Sequence, residues 1–442
     1  MTLRTRLLFA LAAVVVPGPP LWAQSPPLEP RPDARVSFFV TADRRSPKDA
    51  EAKSDVQFAS AFTFRTPDVD SRGFEAGVDL RHTRYIGTER PQRVSLYDGF
   101  AGARLGERGQ FRVRAGHMWL PDLGTAGALA GGLTEYRGAP SGAKNRLIAG
   151  AFAGAEPLGY DTGYTPGVRK YGGYAALESG FLRRHVVGFA NITQGAITQR
   201  SMLTVANYIP AGKSFFAYQA LEYDIKGPAA GAAKGGLSYF LVNARASAGS
   251  RAELQGTYNR GRSLDARGLT DDVINGRPLT AQSVEGLRYE SEGGRVSVKV
   301  TRQVEVYAGY ARDRNNRDDV PTGRVTFGGY ATNLFNAGLD VSASDARIDR
   351  PTGPYHARYV SAGHSIGGSL YLSGDYSTSL AVVRFVRSDG VTIETRPWTR
   401  RLSGNASATL SRQFSLVGVV DFTMDDGMND LRVMTGLTYR LR

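Results

Sequence analysis

The chain has 442 residues with no cysteine, 53 glycines, 21 tyrosines and a formal net charge of +14. It is therefore neither a disulfide-stapled secreted domain nor a lipoprotein anchored through an N-terminal cysteine. A mean hydropathy of −0.28 argues against a bundle of membrane-spanning helices.

The first six residues are basic through Arg4 and Arg6, Leu7–Val16 form a short apolar run, and Leu21-Trp22-Ala23 offers a small-residue cleavage site. This pattern predicts a secretory signal peptide over residues 1–23. Residues 24–33 are proline-rich and are expected to be unstructured. In an exported, strand-rich chain the basic balance points to anionic lipid or anionic solutes and away from nucleic acid.

From residue 34 to 442 one pattern persists: segments that alternate apolar and polar side chains, separated by alternately short and long breaks. Val56, Phe58, Phe62 and Phe64 share one face of a strand. Phe74, Ala76, Val78 and Leu80 share another, with Glu75, Asp79 and Arg81 behind them. Phe111, Val113 and Ala115 alternate with Arg112, Arg114 and Gly116. In the stretch Arg295–Tyr310, Val296, Val298 and Val300 are followed by Val304, Val306, Ala308 and Tyr310. A three-residue turn at Thr301-Arg302-Gln303 would set Val300 opposite Val304 and Val298 opposite Val306. The design recurs around Ser411-Arg412-Gln413, between Ala406, Ala408 and Leu410 and Phe414, Leu416 and Gly418. Phe335, Ala337, Leu339 and Val341 predict a further strand, and Leu431 to Leu441 the last.

The short breaks are 106–110, 249–251, 301–303, 365–368 and 411–413; the long, charged ones are 42–54, 155–169, 261–283, 313–323, 345–354 and 387–397. The segments count to roughly 20–22 strands, within a range of about 16–22, as expected for a closed antiparallel transmembrane barrel. There is no blade-length repeat of a β-propeller. A soluble array of β-sandwiches would not require the asymmetry of breaks.

The signal peptide, the absent cysteines, the Gly/Tyr-rich alternating strands and the amphipathic last segment together resemble the porin-like outer-membrane β-barrels of Gram-negative bacteria. The resemblance covers residues 34–442 as pattern, without a catalytic or binding motif. It departs at Tyr439-Arg440-Leu441-Arg442, where such barrels usually end in an aromatic residue. The resemblance implies an all-β, single closed barrel with short periplasmic turns and longer outer loops, located in the outer membrane. Its function would be passive diffusion of small hydrophilic, in part anionic, solutes. The implied partners are outer-membrane lipid, the solutes and the barrel-assembly machinery, with a homo-oligomer left open. Tyr85, Tyr136, Tyr208, Tyr223, Tyr258, Tyr310, Tyr355 and Tyr376 would form interfacial girdles.

Lumen and selectivity candidates follow from the polar parity of the strands: Arg81, Arg112, Arg114, Arg295, Lys299, Arg401 and Arg432. The Gly/Ala-rich stretch after Arg114, with Asp122 on it, resembles the porin loop that folds into the lumen; an ordinary outer loop is the alternative. Opposite charges on neighbouring strands can pair, and only an unpaired basic excess would favour anions. Alternative functions are a barrel without a channel, serving as an anchor or as part of an export system, and an outer-membrane hydrolase. The hydrolase is disfavoured: there is no G-x-S-x-G elbow or H-E-x-x-H motif, and His82, His117, His185, His356 and His364 stand apart. No catalytic residue, cofactor or metal is expected, and the acidic stretch 425–430 reads as a solvated turn.

Overall fold

The computed structural model describes residues 32–67, 71–138, 145–158, 161–179, 183–386 and 391–441. The expected signal peptide, and the proline-rich stretch up to residue 31, lie outside the described residues. Asp33, expected to be unstructured, opens the first strand, Asp33–Pro47.

Twenty-two strands form one sheet in which each strand pairs antiparallel with its neighbours in sequence. The first strand also pairs with the last, Met428–Leu441, from Ala34 opposite Leu441 to Pro47 opposite Met428, and this closes the barrel. Closure leaves no exposed edge, so the strands satisfy one another's backbone groups around the ring.

The two faces differ in chemistry. On the outer face, Phe38, Phe74, Val113, Val187, Leu254, Val306, Phe327 and Leu402 are all exposed. The registers string such residues into rows: Ala343, Val360, Tyr376, Leu402 and Phe422 pair successively across five strands. Below them, Val341, Ala362, Gly374, Gly404, Val420 and Val433 form a second row. No water-soluble fold leaves a continuous apolar belt uncovered. From Leu402 down to Leu410 the belt runs along the strand for about 26 Å, or roughly 20 Å of height at a tilt of ~40°.

Both predicted hairpins form with the predicted register. Val298 faces Val306 and Lys299 faces Glu305, and Val300 N donates to Val304 O at 2.9 Å. Thr301 Oγ1 accepts from the backbone N–H of Gln303 and Val304. Ser411 Oγ accepts from Gln413 and Phe414 in the same way. Gln303 O and Gln413 O each accept from the following strand, from Thr332 N and Arg440 N. The recurring hydroxyl-Arg-Gln tripeptide is thus one turn used twice, its hydroxyl standing in for a backbone acceptor.

Several expected long breaks are strand instead. Strand Asp33–Pro47 runs on to Lys53–Arg65 across only residues 48–52, and strand Leu339–Arg350 reaches strand Gly353–Ile366 across Pro351-Thr352. Their charges occupy strand ends that rise above the apolar belt, where alternation with water on both faces no longer marks a strand. Conversely, Phe335 and Ala337 lie in a turn, with positive φ at Asn333, Phe335, Asn336 and Gly338; the strand starts at Leu339. Two connections on the side opposite the paired chain ends are long. One carries helices Ala266–Ile274 and Ala281–Glu285. The other folds as a separate hairpin of Val383–Val386 and Thr392–Thr395. In that hairpin Arg384 and Arg396 both donate to Glu394, and these bonds hold its carboxyl below the usual carboxylate range.

Candidate functional site: a barrel lumen narrowed by an inward segment

Strand Phe111–Trp119 carries Arg112 and Arg114 on its inner face. Beyond it, Pro121–Ala126 forms a short 3-10 turn before strand Ala128–Arg137. This turn folds into the barrel. Leu123 is 1% exposed and meets the inner wall at Gly188, four strands further round the sheet than Phe111–Trp119, where a Cβ would overlap its Cδ2. On the far side, a Cβ on Gly124 would overlap Glu222 Oε1; its φ of 53° also favours glycine.

Two interactions hold the segment there. The first is apolar: Met118, Leu120, Leu123, Ala126, Leu129 and Leu133 pack with Phe152, Val168, Ala190, Ile192 and Met202. The second is Lys170, 5% exposed, whose Nζ donates to Ala126 O at 2.7 Å and to Ala128 O at 3.2 Å. Glu156 Oε1 lies 3.7 Å from the same nitrogen. The connection 227–235 adds to this side of the barrel, with Ala229 N and Ala230 N donating to Gln199 O and Thr198 O. Helix Ala266–Ile274 also docks here, where Gln194 Nε2 donates to Asp271 Oδ1 at 2.6 Å.

An inner wall that is uniformly polar is therefore not what this half of the barrel has. Ile148, Val186, Ala190 and Met202 point inward and are buried, whereas their sequence neighbours Leu147, Val187, Phe189 and Leu203 are exposed on the outer face. Both parities are apolar: the outer set faces outward, while Ala190 and Met202 pack with the inward segment and Ile148 and Val186 pack with Ala176 against Tyr174 and Ala206. The signal was present in the sequence as paired apolar residues such as Leu147-Ile148 and Val186-Val187, which a half-buried strand does not need.

The inner charges are largely paired. Glu75, 4% exposed, accepts from Arg114 Nη2 at 2.7 Å and has Arg112 Nε at 3.9 Å. Arg200 donates to Asp224 at 2.7 Å and to Ser238 Oγ at 2.8 Å and lies 3.3 Å from Glu222; Arg262 lies 3.4 Å from Asp224. Glu135 accepts from Arg137 and from the Tyr174 hydroxyl. The sequence reading missed Lys170, Glu135, Arg200, Glu222 and Asp224, because strands with two apolar parities hid the inner face.

The other candidates spread around the remaining wall. Arg401 bonds Asp421 at 2.6 Å and Arg432 lies 3.5 Å from Asp43. Arg81 lies 3.4 Å from Asp79 and 4.3 Å from the Tyr97 ring centre. Arg295 stacks over Tyr307 at 3.7 Å and donates to Ser297 Oγ. Lys299 is exposed, opposite Glu305. Asp122 lies on the inward turn; its side chain is outside the described residues. This wall is otherwise hydroxyl-rich, with Ser342 bonded to Ser361 and Ser37 to Thr438. Of the expected girdle, Tyr136, Tyr223, Tyr310 and Tyr376 are exposed on the outer face. Tyr208 instead packs at a tilt against Tyr218, at a ring distance of 4.7 Å, on the inner parity shared with Glu222 and Asp224. Among the described residues no group of three or more His, Asp or Glu is arranged to hold a metal ion.

No protein-family model matches the chain, and no curated protein does. Among solved structures, OccAB4 of Acinetobacter baumannii is similar at 8% identity and a TM-score of 0.46, covering 94% of this chain and 100% of that one. OccAB2 of the same organism gives 8% and 0.44, with coverage of 93% and 98%. OpdQ of Pseudomonas aeruginosa gives 7% and 0.43, with coverage of 93% and 99%.

Proposed function

We propose that this protein is an outer-membrane, porin-like channel through which small hydrophilic solutes diffuse passively. The observation that carries the reading is the pairing of an uncovered apolar outer belt with a closed barrel whose inner wall is charged and hydroxyl-bearing over one half. The conduit would run along that half, past Arg295, Lys299, Arg401, Arg432 and Arg81, beside the inward segment anchored by Leu123 and Lys170. The mechanism is exclusion. The belt partitions into lipid, closure satisfies the strand backbone, and the inner wall replaces part of the solute's hydration.

Because most inner arginines face a carboxylate, the selectivity we propose is a mild anion preference, arising from the basic excess. A folded, heat-modifiable barrel in a planar lipid bilayer with a tenfold potassium chloride gradient tests this through the sign of the reversal potential. A cation-selective reversal potential would overturn it. A second reading is favoured by the inward segment and its apolar packing: a barrel sealed by its own interior, acting as an anchor or export component. Absence of conductance would favour that reading. The barrel-assembly machinery is the proposed insertion partner, and the proposed leader over residues 1–23 delivers the chain to it.

A further inference from the structure

Immediately above the apolar rows, the outer face changes character. The row above Ala343–Val360–Tyr376–Leu402 reads Asp345, Arg358, Thr378, Arg400, by successive register pairs. The next reads Arg347, His356, Leu380, Trp398. All share the parity of the exposed Val360 and Leu402, so these charges point away from the lumen.

Asp345 organises the group: His356 Nε2 lies 2.7 Å from it, Arg358 Nε 3.3 Å and Arg347 Nε 3.5 Å. Asp345 thus has two arginines within 3.5 Å. Arg400, 5.0 Å from the Trp398 ring, stands two strands beyond Arg358 on the same face, and Asp349 lies one step beyond Arg347 on that face. The arginines remain solvent-facing, Arg347 at 73% and Arg358 at 65%. Arg358 and Arg400 are two strands apart, about 10 Å between backbones, a gap that guanidinium groups can close around one anion. Planar guanidinium forks suit phosphate, and the hydroxyl of Thr378 lies between them. At this height an outward cation meets the polar margin of the bilayer rather than its hydrocarbon, so its cost is small. The side is that of the long connections, opposite the paired chain ends.

We propose that Arg347, Arg358 and Arg400, ordered by Asp345 and His356, form a surface site for the phosphate of an outer-leaflet glycolipid headgroup. The apolar rows beneath would receive its acyl chains. The inference rests on the membrane-barrel reading above, and charge complementarity selects the occupant: a net cationic patch directly over an acyl-compatible surface.

The test is native mass spectrometry of the folded full-length barrel in detergent with a bis-phosphorylated glycolipid, its enzymatically dephosphorylated form, and phosphatidylglycerol. The expected result is retention of the phosphorylated glycolipid at least tenfold over the other two. The triple variant R347Q/R358Q/R400Q should lose that retention while keeping heat-modifiable migration and wild-type conductance. Equal retention of the dephosphorylated lipid or of phosphatidylglycerol, or unchanged retention by the variant, would overturn the site. A barrel dimer that the triple variant abolishes would also overturn it, by assigning the patch to a second copy. If the channel reading failed, conductance would be missing in the wild type too, which separates the two failures.

Discussion

Lys170→Met tests how the inward segment is held. The ammonium makes two hydrogen bonds to Ala126 O and Ala128 O and sits among buried groups. Charge-assisted bonds of this kind contribute about 1.5–3 kcal/mol each, and two that share one donor add less than their sum. A tether of about 3 kcal/mol corresponds to roughly a hundredfold in the ratio of docked to released segment. Leu123, packed against Gly188, is an independent anchor, and its truncation to alanine should cost about 2–5 kcal/mol. Lys170→Met alone should therefore give brief excursions to larger conductance, and Lys170→Met combined with Leu123→Ala a long-lived larger state. Single-channel recording of variants with wild-type heat-modifiable migration reads both. A correctly folded double variant with unchanged conductance and noise would refute the idea that these two residues hold the constriction.

Other perturbations probe the two faces of the wall. Val298→Arg puts a guanidinium on the outer face at the lower margin of the apolar rows, one pair short of the ladder's end before the turn at Thr301. It should cost about 1–2 kcal/mol of barrel stability, between the interfacial and midplane values, read as a lower urea midpoint for refolding into vesicles. Lys299→Gln, one residue along and on the other parity, should leave that midpoint unchanged and move the reversal potential towards cations. Arg114→Ala removes the closest partner of buried Glu75 and should destabilise by about 3–5 kcal/mol, with a shift towards cation selectivity. Ser411→Ala deletes the acceptor for two turn N–H groups and should cost about 1 kcal/mol in the same urea assay, by analogy with the loss of a cap.

The legible parts of the fold were those where one face meets an apolar surface and the other meets water. Val296, Val298 and Val306 alternate with Arg295, Ser297 and Lys299, so both parity and register could be read, down to the turn at Thr301. Legibility failed where the physics stopped alternating. Leu147-Ile148 and Val186-Val187 are apolar on both parities because Ile148 and Val186 pack with Ala176 against Tyr174 and Ala206 on the inner side, so the apolar interior was not foreseen. Asp43, Arg44 and Arg45 looked like a loop because charge can occupy both faces once a strand rises above the belt. Phe335 fitted an alternation it does not belong to; only the backbone, with left-handed residues at Asn333 and Asn336, places it in a turn. Of the candidate wall residues, the parity of Arg112 and Arg114 was visible in sequence. Their partner Glu75, more than thirty residues away, emerged only when the register brought the strands together.

The central claim is that this closed barrel crosses a membrane and conducts. Single-channel recording of the folded wild-type protein in a planar bilayer addresses it directly. Discrete, ohmic conductance steps that disappear when the sample is heat-unfolded are the predicted result. A barrel that inserts with native migration yet gives no steps, in the wild type and in the Lys170→Met, Leu123→Ala variant alike, would contradict it.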